Sequence, residues 1–408
     1  MVKISNGTSS QYFALKSVNK LKKVYFESPS SLKFLGHYAF YKCNLLTEID
    51  FSNCSSLENI GSFCFADCFS ISRVVFPTQS KLEILDYACF YHLISVKSYT
   101  FPSSLRYING ETTEFGVFGF YNGDELRFNE GLLSIGSRSC LYAKCKYIYL
   151  PSSLTMLHQY AILCNPNLIE IVSEQSSVCS INSNALLSYD KTLFYTFPAQ
   201  ITGTYYIPNT VKVIGHDAFC YSKLQEIIVP ESCTEIAKTP FFYMDNLAFL
   251  RIPKSVVKIL NNSITECPNL RNLTIEMESI PCLDYQSVEI ITLGNETKVI
   301  EDNALKTAAK LQSIIIPPSV TKIGVEAFKG LKNLKIVRIY RQPTIGASAF
   351  MDTRISCGVD CHSTLVDPLI LSGVNIKSFG YCCIASVVQN TELIKSLFKI
   401  EFLIFILV

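Results

Sequence analysis

Cysteines, histidines and one serine in a glycine turn are the side chains of this sequence whose types could do chemistry. Cys64-x-x-x-Cys68, Cys140-x4-Cys145 and Cys357-x-x-x-Cys361-His362 could offer thiolates, and in the last case an imidazole, to a zinc ion. A closed zinc site takes four such ligands with hydrogen-bonding support behind them, and the sequence shows no such set. His37, His92, His158, His216 and His362 are scattered along the chain. Gly346-Ala347-Ser348-Ala349-Phe350 approaches the strained turn that exposes a nucleophilic serine, yet Phe350 stands where that turn needs glycine. Phosphate-cradling, dinucleotide-binding and His-Glu-x-x-His patterns are missing. No catalytic residue, cofactor or metal is expected.

A repeat accounts for where these residues fall. Leu32-x-x-Leu35-Gly36-His37-Tyr38-Ala39-Phe40-x-x-Cys43 leads into Leu46-x-x-Ile49-x-Phe51, and the same pattern restarts at Leu57 and again at Leu82. The aliphatic residue before the glycine position recurs at Leu35, Ile60, Leu85, Ile108, Ile135, Leu157 and Ile181. It continues at Ile214, Ile236, Ile259, Ile280, Ile300, Ile323 and Ile345, a mean step of about 24 residues, within the range of leucine-rich repeats. In this frame Cys43, Cys68, Cys164 and Cys267 share one slot, Cys64 and Cys89 replace the alanine, and Cys145 replaces a strand leucine. Small, weakly polar thiols suit a tight interior, so these are expected as buried structural thiols. His37, His158 and His216 share the slot after the glycine position, too many coils apart to hold one metal. Ser348 belongs to the same Ile-Gly-x-x-Ala-Phe frame.

Each unit has a physical logic. Leu224-x-x-Ile227-x-Val229-Pro230 and Leu311-x-x-Ile314-x-Ile316-Pro317 end in the period-two alternation of a strand with one buried face, and proline stops the ladder. The small-plus-aromatic pair, as in Ala218-Phe219, lets coils approach and fills the interior. The expected fold is a repeat solenoid, mainly β: a leucine-rich-repeat coil stack with one long parallel sheet face and a shorter second strand or irregular turn per repeat. Residues 1–30 read as an N-terminal partial repeat, 31–356 as a solenoid of about 14 units, and 357–408 as a C-terminal cap or tail, partly disordered. Irregularities are expected at 110–123, a Gly-rich bulge, at 188–206, an added hairpin around Tyr189–Thr192, and at 276–299, where the Ala-Phe pair is lost. Cys357, Cys361, Cys382 and Cys383 lie outside the array, where a capping disulfide or metal clip stays open.

The unit resembles the BspA-like, Treponema-type leucine-rich repeat, approximately LxxIxIPxxLxxIGxxAFxxCxxL. Ile214-Gly215-His216-Asp217-Ala218-Phe219 and Ile323-Gly324-Val325-Glu326-Ala327-Phe328 match its core, and the likeness covers about residues 17 to 356. That family includes surface proteins of oral and gut bacteria and of parasitic protists such as trichomonads. The resemblance implies a surface antigen that adheres to host cells or extracellular matrix.

The bulk numbers fit a binder. Charged residues are 17% against 49% hydrophobic, and the net charge of +2 gives no basic stripe for nucleic acid. No apolar stretch reaches the roughly 20 residues of a membrane span; Phe402 to Val408, seven residues, is either packed on the cap or the stump of an anchor. Met1 to Gly7 lacks a secretory signal's apolar region, so a cytoplasmic location stands as the alternative to the cell surface. Five Asn-x-Ser/Thr sites occur, at Asn6, Asn53, Asn261, Asn272 and Asn295, a pattern too common to establish secretion. On the sheet face the central outward row reads Asp50, Val75, Thr100, Arg127, Tyr149, Val172, Ile228, Arg251, Thr274, Thr292, Ile315 and Arg338. Arg127, Tyr149, Arg251, Thr274, Thr292 and Arg338 are the expected contacts to a protein or glycan partner. The chain is thus expected to be a non-enzymatic adhesion-type interaction protein; the alternatives are an intracellular leucine-rich-repeat scaffold or a fragment of an enzyme-linked receptor.

Overall fold

The fold follows from three hydrogen-bonded edges that each coil offers to the next. A computed structural model describes residues 2–4, 17–18, 20–111, 114–173, 175–260, 262–341, 343–355, 358–361 and 366–374. Within these the chain winds as a mainly-β parallel solenoid of about 13 turns, with a single short helix, Val366–Leu371, among the described residues. It divides into two compact units: unit 1 comprises 1–203, 210–224 and 237–244, and unit 2 comprises 204–209, 225–236 and 245–408.

The first edge is the longer strand of each coil. In unit 1, Glu48–Asp50 pairs in parallel with Arg73–Val75, and Glu125–Arg127, Tyr147–Leu150 and Glu170–Ser173 form a second ladder. The intervening coil, with Tyr99 buried, has no strand at Thr100. In unit 2, Phe249–Ile252, Asn272–Ile275 and Ile290–Leu293 pair in register, as do Ser313–Ile316, Ile336–Ile339 and Gly358–Cys361. Ser313–Ile316 and Ile336–Ile339 alternate exposed and buried, as one-sided burial requires. Gly358–Cys361 adds a strand beyond the point where the sequence pattern stops.

The second edge is a two-residue strand carrying the Ile-Gly step. In unit 1, Phe34–Leu35, Asn59–Ile60, Ile84–Leu85, Tyr107–Ile108, Ser134–Ile135 and Met156–Leu157 make an unbroken six-stranded ladder. Coils approach so closely here that a Cβ on Gly61 would lie 2.7 Å from the Leu35 carbonyl oxygen. In unit 2, Ser279–Ile280, Val299–Ile300, Lys322–Ile323 and Thr344–Ile345 do the same.

The third edge is a run of tight turns around Ala-Phe. Tyr38 N–H donates to Ser62 O (3.0 Å), Phe40 to Cys64 O (2.8 Å) and Lys42 to Ala66 O (2.9 Å). In unit 2, Leu305 donates to Ala327 O and Phe328 to Ala349 O. The turns close because in most coils two residues four apart take left-handed backbone, as at Tyr38 (φ 59°) with Lys42 (φ 60°), Phe63 with Asp67, and Asp217 with Tyr221. For a non-glycine residue that conformation costs roughly 1–2 kcal/mol. It is offset by satisfying N–H groups that the interior could not solvate.

Inside, aromatics of neighbouring coils stack: Phe40 on Phe65 at 5.0 Å, Phe194 of the strand Leu193–Thr196 on Phe219 at 4.7 Å, and Phe328 on Phe350 at 4.8 Å. Within unit 1, one core cluster runs from Leu21 to Leu186.

The irregular stretches have local causes. The Gly-rich segment divides, with Val117, Phe118 and Tyr121 buried as a coil turn while Glu111, Glu114 and Phe115 stay exposed. Ala185–Ser188 pairs antiparallel with Leu193–Thr196 across Tyr189–Thr192, and Cys179–Asn182 adds a second hairpin. Asp190 closes the first by accepting from Ser188 Oγ and from both the N–H and Oγ1 of Thr192, which lowers its carboxyl below the usual range. Where the Ala-Phe pair is lost, Tyr285 fills the interior and donates its hydroxyl to Pro281 O at 2.8 Å. Leu369 and Val374 are buried, and Phe350 N–H donates to Ser372 O, so residues 366–374 cover the last turn. Val2–Ile4 pairs in parallel with Val24–Phe26. Cys357, His362, Cys382, Cys383 and Phe402 to Val408 lie outside the described residues, as do Asn6 and Asn261.

Candidate binding faces

Parallel register turns the central outward residue of each long strand into a row. In unit 1, Arg127 stands beside Tyr149 and Tyr149 beside Val172; Asp50 stands beside Val75 in the earlier ladder. In unit 2, Ile228, Arg251, Thr274 and Thr292 are successive neighbours, and Arg338 stands beside Ile315. Three groups emerge from the six residues picked out by the sequence: Arg127 with Tyr149, Arg251 with Thr274 and Thr292, and Arg338.

Their side chains differ in what they have left to offer. The Arg127 guanidinium carbon lies 3.5 Å from the Tyr149 ring centroid, a close cation–π contact, with Glu125 at 3.4 Å. They edge a surface hollow of about 570 Å³ whose wall includes Phe128, Pro151, Ser152 and Val172. Glu130, at the rim, takes hydrogen bonds from the backbone and hydroxyl of Ser152 and from Ser153, which hold its carboxyl below the usual range. Arg251 is spent within its own chain, 2.6 Å from both Glu231 and Glu276. Thr292 and Arg338 are exposed, Thr274 half-buried. Ile315 in the row, and Ile290 and Ile336 on the same strands beside it, expose about half of their surface, at 53%, 57% and 44%. The sequence placed Ile315 in the row without picking it as a contact, and Ile290 and Ile336 were not singled out.

A second face escaped the sequence altogether. In unit 1 the left-handed turn slots and their neighbours carry aromatics that meet from coil to coil. Tyr38 stacks on Phe63 at 4.9 Å; Phe63 meets Tyr87 at 5.1 Å and Phe115 at 5.6 Å; Tyr91 meets Phe115 at 5.1 Å. His92 sits among Phe69, Tyr91 and Phe120 and shares a 3.0 Å hydrogen bond with Asp67. Further along, Phe120 stacks on Tyr142 and Tyr221 on Tyr243. The available signal was an aromatic recurring beside the Ala-Phe pair, but without the turn geometry it reads as more core.

The residues first weighed for chemistry are built into coils. Twelve of the described cysteines are buried thiols and Cys282 is exposed. Burial pushes the thiols of Cys54 to about 11 and Cys145 to about 12, and those of Cys64, Cys89 and Cys140 up as well, so they stay protonated and unreactive. Among the described residues no three His, Cys, Asp or Glu side chains gather as a metal site. His37 Nδ1 accepts from Ser62 N–H at 2.9 Å, and burial lowers the His158 imidazole. Ser348 occupies a left-handed turn slot (φ 56°). Among the described residues no helix is long and apolar enough to cross a membrane.

Stacked parallel coils with an Ile-Gly strand and an Ala-Phe turn define a leucine-rich-repeat protein. The family model for the BspA type leucine rich repeat region matches in six copies over residues 8–115, 111–205, 203–282 and 282–365, and the chain belongs to that family. A leucine-rich repeat protein from Bacteroides ovatus has a similar structure at 23% identity and TM-score 0.65, over 85% of this chain and 87% of that one. One from Eubacterium ventriosum matches at 20% identity and TM-score 0.59, over 86% and 89%. These likenesses show the fold. No curated protein matches the sequence significantly.

Proposed function

We propose that this chain is a non-enzymatic interaction protein of the cell surface that holds a protein partner on the outward rows of its long strands. The observation that carries the reading is the strand face of each unit taken by itself: in unit 1 a cation fixed over an aromatic ring, Arg127 on Tyr149, and in unit 2 the exposed isoleucines at 290, 315 and 336. Aromatic and arginine anchors with apolar surroundings suit a protein surface, and a rigid ladder loses little ordering entropy on docking. Within unit 2, Thr274, Thr292 and Arg338 add polar contacts, while Arg251 acts as a strut between Glu231 and Glu276. Membership in a family of interaction repeats supports this reading, and its resemblance to adhesive surface antigens supports host cell surface or matrix as the target.

An array of extracellular-matrix proteins and glycans tests it. The chain should bind a protein spot, and Tyr149→Ala with Ile315→Asp should weaken that binding at least tenfold. Binding only to glycan spots, or binding indifferent to both variants, would overturn it. The abundance of buried thiols among the described residues favours the second reading, an intracellular scaffold. Surface biotinylation of intact cells separates the two, since a scaffold stays unlabelled until lysis.

A further inference from the structure

The aromatic turn face of unit 1 is independent of the strand rows, and its chemistry points to a different ligand. Phe63, Tyr87, Tyr91 and Phe115 form a joined set of rings in which Phe115 is 39% exposed, Phe63 and Tyr91 are half-buried and Tyr87 is buried as the support of the others. Carboxylates lie near two of them, and Glu114 directly precedes Phe115 in the chain. Beyond the effect of burial, the charge of Glu111 helps push the Tyr87 hydroxyl up to about 12, and Asp67 and Glu114 raise that of Tyr91. Asp67 is bonded to His92, but Glu111 and Glu114 are exposed and no ion pair involves them among the described residues. Arg138 also acts on Tyr87, so the face is not purely acidic. At its edge the chain shows what such a surface attracts: Lys42 places its ammonium 5.0 Å from the Tyr41 ring.

We infer that the ring cluster Phe63–Tyr87–Tyr91–Phe115, rimmed by Glu111 and Glu114, is a docking surface for a basic peptide segment bearing arginine or lysine. A ring face and a nearby carboxylate attract the same cation, one through the quadrupole and one through charge. A neutral sugar would use the rings but has no need of the carboxylates. A second copy meeting this face to face would set like charges against each other. An acidic partner is repelled.

The test uses the full chain and a tetra-arginine peptide, with tetra-glutamate and a neutral cello-oligosaccharide as comparison probes. Titration calorimetry at low and physiological salt should show tetra-arginine binding that weakens with salt, and no tetra-glutamate binding. Phe115→Ala should weaken the peptide at least fivefold. The exposed pair Glu111→Gln and Glu114→Gln should weaken it similarly and flatten the salt dependence. Tyr149→Ala, on the strand face, should leave it unchanged and reports separately on the function proposed above. Absence of tetra-arginine binding, unchanged affinity in both turn-face variants, or preference for the oligosaccharide would overturn the assignment.

Discussion

The turn faces of the two units share a backbone and differ in what it displays. In unit 1 the left-handed slots include the aromatics Tyr38, Phe63, Phe120, Tyr142, Tyr221 and Tyr243 among residues such as Lys42, Asp67, His92, Arg138 and Asp217; in unit 2 they hold Asn262, Glu266, Asn303, Glu326, Ser348 and Asp352, with no aromatic among the described residues. Unit 1 ties its slots together by ring contacts such as Tyr221 on Tyr243 at 5.2 Å. Unit 2 uses ions, with Glu326 3.0 Å from Lys306 and 2.6 Å from Lys329. The comparison separates two jobs. Inward Ala-Phe pairs and coil-to-coil N–H bonds build the turn, and most left-handed side chains, Ala88 and Cys164 being buried exceptions, lie at or near the surface where they can carry recognition.

If that division is right, the interior must be equivalent in the two units. Phe65→Ala in unit 1 and Phe328→Ala in unit 2 each remove a fully buried stacked ring. Each should destabilise by about 3–5 kcal/mol in denaturant unfolding, the usual loss for a buried aromatic. A large effect in one unit and none in the other would break the comparison at its base.

The slot itself should then respond in opposite senses. Phe63→Gly relieves left-handed strain but forfeits contacts with Tyr38, Tyr87 and Phe115, each worth about 0.5–1.5 kcal/mol, for a net loss of about 1–2 kcal/mol. Glu326→Gly relieves the same strain and gives up only ion pairs in which every partner is partly exposed. Such pairs contribute little, so this variant should be neutral or stabilising by up to about 1 kcal/mol. Matching losses at both sites would mean that the slot side chains are structural in both units.

How much of this the sequence disclosed follows the same division. Inward positions repeat because every coil must fill the same space, so Ile214-Gly215 and Ala218-Phe219 announced the fold. The outward row on the long strands was also readable, since a strand alternates strictly and Arg127, Tyr149 and Thr274 fell where expected. That Arg251 is engaged by Glu231 and Glu276 was not readable, because those carboxylates come 20 residues before and 25 after it and meet it only across coils. The turn slots were hidden for another reason. Tyr, Phe and Arg are poor markers of left-handed backbone, which sequence patterns usually flag with glycine or asparagine. Gly358–Cys361 pairs through its backbone, which needs no leucine to recur.

The smallest expected effect is a difference in sign with pH. Asp217 occupies a left-handed slot of unit 1, and burial raises its carboxyl above the usual range, although Thr239 and nearby cations pull the other way. Glu326 occupies the corresponding slot in unit 2, and its hydrogen bonds from Lys329 and Lys306 lower its carboxyl. A raised carboxyl contributes stability below its unfolded value and loses it as pH rises through the folded one; a lowered carboxyl does the reverse. At neutral pH the Asp217 charge is therefore a net cost that Asp217→Asn removes, and the gain should be about 0.5 kcal/mol, the scale of a substitution outside the core. Below the ordinary carboxylate range Asp217 is itself neutral, so variant and parent should converge. Glu326→Gln should instead lose a little stability at neutral pH and converge with the parent as pH falls past the lowered value. Thermal unfolding of both variants at pH 7 and in acid reads the two signs directly. Equal signs would show that the units' slots differ in shape but not in the charge environment their side chains meet.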